Sequence, residues 1–144
     1  HGCGNNRSLQ IGLHNKETYH SFTLISCLNN IIKINACCNT SYFINNTGII
    51  YTCGDNEYGL NGINNKSFGA YKITPIKSNT KFIDIKTGFE HIIALSDNNK
   101  LYSWGSNEYG QCGQSGWFYK STIIYKPSII KFDDEITFKI ITSD

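Results

Sequence analysis

The 144-residue chain contains no methionine, only two prolines and two tryptophans, and charged side chains make up just 17% of it. Without methionine it has no natural initiator, so a processed product or an excised segment of a longer chain is expected. No apolar run approaches the roughly 18 residues of a membrane span. No basic stretch leads into an apolar one at the N-terminus, so no signal peptide is expected either. The formal net charge is +2, with no basic run to concentrate it. Direct nucleic-acid or membrane binding is therefore not expected. No C-x-x-C pair occurs among the six cysteines, and adjacent Cys37 and Cys38 do not have tetrahedral-site spacing, so no metal is expected. Helical apolar spacing never persists beyond a turn.

What is present is a repeat. Residues 100–113 read Lys-Leu-Tyr-Ser-Trp-Gly-Ser-Asn-Glu-Tyr-Gly-Gln-Cys-Gly, and residues 49–62 repeat the text. Tyr51, Gly54, Asn56, Gly59 and Gly62 match Tyr102, Gly105, Asn107, Gly110 and Gly113. A weaker copy opens the chain, with Gly4, Asn6 and Gly12 in place and Leu9 replacing the middle glycine. The period is roughly 50 residues, the length of a propeller blade. Ahead of each strong copy stand short β-branched runs, at residues 31–34 and 82–85, and then hairpins with Asn, Asp and Gly at their tips. A run at residues 137–140 reads as a further such strand. Pro75 and Pro127 are read as opening one more strand each, since proline lacks the ladder N–H. About four strands per unit and no helix point to an all-β partial propeller of about three four-stranded antiparallel blades. The chain is read as one repeat domain, 1–144, with units of approximately 1–35, 36–86 and 87–144.

The glycines are read as turn formers, because a phosphate cradle needs a Lys-Ser/Thr sequel and a following helix. Asn56 and Asn107 can close the turn on their own backbone. Cys3 and Cys53 share the strand position of Trp104, so all six cysteines are expected as free, buried thiols. That expectation carries with it an intracellular location.

Residues 102–113, with residues 85–95 ahead of them (Ile-Lys-Thr-Gly88-Phe-Glu-His91-Ile-Ile-Ala-Leu), resemble the regulator of chromosome condensation repeat. The second copy departs from that pattern by placing Cys37-Cys38 and Thr40-Ser41 where its glycine and histidine belong. The resemblance implies a seven-bladed propeller, of which this chain holds about three repeats, the first and last incomplete. It also implies two functional classes. One is a non-catalytic protein-interaction scaffold. The other is a guanine-nucleotide exchange factor, or part of one, for a Ran-type small GTPase, with chromatin association. The expected partners are a protein and the rest of the propeller, in the cytoplasm or nucleus.

No acid, base and nucleophile converge in the sequence. His91 reads as a turn or core residue rather than a base, so no catalytic residue and no cofactor are expected. The candidate partner-binding residues are Phe68, Tyr71 and Lys72 in one inter-strand segment and Trp117, Phe118, Tyr119 and Lys120 in the other. Aromatic residues beside cations suit interface hot spots. Packing against the next blade is the competing reading for all seven.

Overall fold

The computed structural model describes residues 1–66, 69–114, 122–133 and 136–138. Among these residues every regular element is a β-strand. Gly2–Asn5 (β1) and Thr18–Thr23 (β2) pair antiparallel. Ile31–Cys37 (β3), Thr40–Asn45 (β4), Ile50–Gly54 (β5) and Ala70–Pro75 (β6) form a four-stranded meander. Phe82–Thr87 (β7), His91–Ser96 (β8), Leu101–Ser106 (β9) and Ile123–Ile129 (β10) repeat that meander. The sheets thus fall out of phase with the sequence units, since β3 and β7 each pair with the strand that follows them.

Alternation explains the strands. In β4, Thr40, Tyr42 and Ile44 are buried while Ser41, Phe43 and Asn45 are less so. In β8, Ile92 and Ala94 point the same way. Tyr42, Ile44, Ile92 and Ala94 join Ile50, Phe82, Ile85 and Trp104 in one core shared by the two meanders. A pleated strand with one buried face needs this period of two. The meanders also touch through their first strands. Lys33 Nζ lies 2.8 Å from Asp84 Oδ1, and Asn35 Nδ2 donates to Ile85 O at 3.1 Å.

Several expectations fail for physical reasons. Pro75 is the last residue of β6 and Pro127 lies inside β10, so neither opens a strand. Both sit on outermost strands, where a ladder N–H is dispensable, and Pro127 falls within a register irregularity between Ile124 and Ser128. Residues 136–138 are not in a strand, and 139–140 lie outside the described residues. The six cysteines are free, but only Cys53 and Cys112 are buried. Cys3 is exposed on β1. Cys27 and Cys38 are exposed on turns, and Cys37 is intermediate.

Candidate protein-binding face

The asparagines of the repeat act as staples. Asn56 Oδ1 accepts the Asn61 N–H at 3.0 Å, and its Nδ2 donates to Asn65 O at 2.7 Å. Asn107 Oδ1 accepts from Cys112 N at 3.1 Å. Asn6 Oδ1 accepts from Ile11 N at 2.8 Å. Each staple encloses two consecutive turns; in the second copy Gly59 N donates to Asn56 O and Gly62 N to Gly59 O. The middle position needs a left-handed backbone, with φ of 70° at Gly59 and 79° at Gly110. Leu9 accepts the same conformation at 61°, at the cost of strain that glycine avoids.

Gly54 and Gly105 have a second constraint. A side chain on Gly105 would place its Cβ 2.5 Å from Glu90 O, where the preceding hairpin passes. Across the ladder from Gly105 stands His91, whose imidazole lies over the Cα of Gly88. Burial lowers the His91 pKa. In the first meander the same three places hold Gly54, Thr40 and Cys37. The histidine therefore fills space above a glycine, and where the glycine becomes cysteine the histidine becomes threonine. Trp104 is fully buried and donates from Nε1 to Leu60 O at 2.7 Å, across to the preceding meander. Tyr42 Oη donates to the same oxygen at 3.0 Å. Tyr51 and Tyr102 are half-buried, and Tyr102 packs edge-on against Phe82 at 5.4 Å.

With its glycines, asparagines and His91 committed to turns and packing, the repeat leaves most of its intervening residues outside, with Tyr58 half-buried against the core. Glu57 and Tyr58, and likewise Glu108 and Tyr109, stand between the staple asparagine and the middle glycine. Tyr109 is 86% exposed, and Phe89, on the β7–β8 turn at the same end of the sheets, is 76% exposed. Sequence reasoning missed these residues by treating Asn-Glu-Tyr-Gly as turn and nothing more. The signal was the pair of large or charged residues inside a turn that needs neither.

Of the residues singled out for partner binding, Tyr71 and Lys72 are exposed on β6, the outer edge of its sheet. Phe68, Trp117, Phe118, Tyr119 and Lys120 lie outside the described residues. The end of the second segment packs against the preceding meander. Tyr125 O accepts from Asn64 N at 2.8 Å, and Ile123 closes over Gly59. Among the described residues no group of three or more His, Cys, Asp or Glu is arranged to hold a metal ion. No described helix is long and apolar enough to cross a membrane.

Two family matches fall on the chain, both to the regulator of chromosome condensation (RCC1) repeat, at residues 82–111 and 98–142. A bifunctional serine/threonine-protein kinase/NEDD4-like E3 ubiquitin-protein ligase of Dictyostelium discoideum is 34% identical over 54% of this chain and 4% of its own length. The guanine nucleotide exchange factor SRM1 of Saccharomyces cerevisiae is 36% identical over 41% of this chain and 12% of its own. The crystal structure of Prp20p from Saccharomyces cerevisiae, described with its binding properties to Gsp1p and histones, superposes with a TM-score of 0.76. It is 22% identical, over 91% of this chain and 34% of that one. The chain thus spans a small part of each of these relatives.

Proposed function

The chain is made of regulator of chromosome condensation repeats, and from that premise we propose that it is a non-catalytic, partner-binding part of a propeller. The observation that carries this reading is the fate of the repeat residues. Asn6, Asn56 and Asn107 staple turns, Gly105 lets a hairpin pass, and His91 rests on Gly88. None is left to act on a substrate. Some of what differs between blades faces outward, as with Cys38 against Phe89 at matched hairpin positions. Tyr71 and Lys72 belong to the same outward set, and they and the segment around Trp117 are proposed to add to the contact surface.

A second reading, exchange of nucleotide on a Ran-type GTPase with chromatin association, is favoured by two of the relatives. One carries the name of an exchange factor, and the other is described with its binding to Gsp1p and histones. An intracellular place of action, cytoplasmic or nuclear, suits both readings. The deciding experiment is nucleotide release from a Ran-type GTPase, measured with and without the protein, alongside pull-down of that GTPase. Binding without accelerated release supports the scaffold. Accelerated release would replace it with the exchange factor.

A further inference from the structure

We propose that the apolar cleft between the β3–β4 turn and the β7–β8 turn docks an arginine- or lysine-bearing segment of a partner protein, an inference that rests on the scaffold reading. The cleft has a volume of about 200 Å³ and is lined by Cys38, Asp55, Glu57, Tyr58, Leu60 and Phe89 among others. It is built from two neighbouring sheets, and the Cys38 thiol donates to Phe89 O at 3.1 Å across its floor. Phe89 projects from its wall at 76% exposure, far more than a packing role needs.

The rim decides the occupant. Asp55 and Glu57 line the cleft, Glu90 on the β7–β8 turn faces Tyr58, and Glu108 stands on the next turn at the same end. Among the described residues the one ion pair is Lys33 with Asp84, which lies on the strands rather than on this rim. The field of these carboxylates is felt locally. Glu57 first, and then Glu90, push the Tyr58 phenol up, and Glu90 adds to the effect of burial on Cys38. An apolar slot with an exposed ring and an anionic rim is complementary to a cationic side chain with an apolar stem. The stem is buried, the charge meets the rim, and the cation can face the ring of Phe89. Arginine fits best, because its planar head both stacks and makes paired hydrogen bonds to a carboxylate.

The test uses fluorescence anisotropy of the full chain with a fluorescein-labelled peptide of alternating arginine and glycine, and a matched glutamate–glycine peptide. We expect the arginine peptide alone to bind, with affinity falling as sodium chloride rises through the screening range. Glu57→Lys should weaken it by about tenfold, the scale of a like-charge contact at a rim. Phe89→Ala should weaken it several-fold while the melting temperature stays put, since that ring is exposed. Phe22→Ala, an equally exposed ring on β2 away from the cleft, should change nothing. Equal binding of both peptides, no binding of either, or indifference to Glu57→Lys and Phe89→Ala would each overturn the proposal. Self-association abolished by Phe89→Ala would assign the cleft to a second copy and overturn it likewise. If the GTPase is pulled down but the arginine peptide does not bind, the cleft proposal fails and the scaffold reading stands. If the peptide binds as described and the GTPase shows accelerated release, the scaffold reading fails and the cleft keeps its ligand.

Discussion

At the junction between the two four-stranded meanders, the core position near the end of β9 is Trp104, whose Nε1 caps Leu60 O at 2.7 Å. At the junction between the β1–β2 pair and the first meander, the matching position of β5 is Cys53, whose thiol caps Gln10 O at 3.2 Å. Leu60 and Gln10 hold the same place in the stapled turn, two residues before Gly62 and Gly12. One slot therefore does one job at both junctions. It covers a carbonyl of the neighbouring turn with a donor, one that Leu60 O shares with Tyr42 Oη. The size of the donor is negotiable because other side chains take up the difference. Where the indole is missing, Ile73 reaches the turn, with its Cδ1 2.5 Å from where a Cβ on Gly12 would stand. The hairpins show the same exchange on a smaller scale, Gly88 and His91 in one meander against Cys37 and Thr40 in the other.

The comparison is broken most directly by emptying both slots. Trp104→Ala should cost about 3–5 kcal/mol, the scale of a large aromatic removed from a core. Cys53→Ala should cost about 1 kcal/mol, since little volume and one weak donor are lost. Urea unfolding of the two variants measures both. Equal costs would mean that the first junction depends on its cysteine as heavily as the second does on its indole. The next largest effect separates two glycines of the same repeat position. Gly105→Val must accept a φ of 106° and also push Glu90 O and the Cα of His91 from 2.5 and 2.8 Å. Gly4 has a φ of 102° but nothing within 4 Å of its missing Cβ. We expect about 3 kcal/mol or more for Gly105→Val and about 1–2 kcal/mol for Gly4→Val. The difference in denaturation midpoints then isolates the clash from the backbone strain.

These two contrasts mark what could be read from the residues alone. The all-β class and the stapled turns were legible because their causes are local. An asparagine reaching an N–H five residues on leaves the same letter in each copy, and the positive φ of the middle position leaves a glycine in two of the three. Burial was not legible, because it depends on what stands alongside. Cys3 and Cys53 occupy matched positions, yet one is exposed and the other fully buried. The prolines misled because their tolerance comes from lying on outer strands, and strand order is a property of the assembled sheet. The cleft was invisible for a related reason. Cys38, Glu57 and Phe89 are far apart in the chain and meet only when two meanders pack side by side.

The hairpin exchange is tested by moving one blade's pair into the other. Gly88→Cys alone drives a side chain into the imidazole of His91, and overpacking of this kind costs about 1–3 kcal/mol. The added residue meets no positive φ at Gly88, so the cost is steric. His91→Thr alone should leave a small void over Gly88. The double change reproduces the pair found in the other meander and should recover about 1 kcal/mol relative to the sum of the singles. Thermal melts of the four proteins give the coupling directly. A coupling of zero would show that the two positions differ between blades for unconnected reasons.

The smallest expected effect concerns the charge of that histidine, which the other meander lacks. Burial lowers the His91 pKa below its ordinary value of 6.5 in the folded protein. Desolvation disfavours the imidazolium, and no carboxylate adds an opposing pull. Folding therefore favours the neutral ring. Above pH 6.5 both states hold His91 neutral and nothing is lost. As pH falls, the unfolded chain binds the proton first, so stability drops and goes on dropping until the folded-state pKa is passed. The parent should accordingly lose melting temperature between pH 7.5 and pH 5. The His91→Thr protein should lose less over the same interval, having threonine where the first meander has Thr40. The carboxylates and the other histidines are common to both proteins, so the difference between the two slopes belongs to His91. The thermal scans need only those two proteins and two buffers. Parallel slopes would mean that water reaches the ring in both states, and that His91 holds its place over Gly88 by shape without being kept neutral.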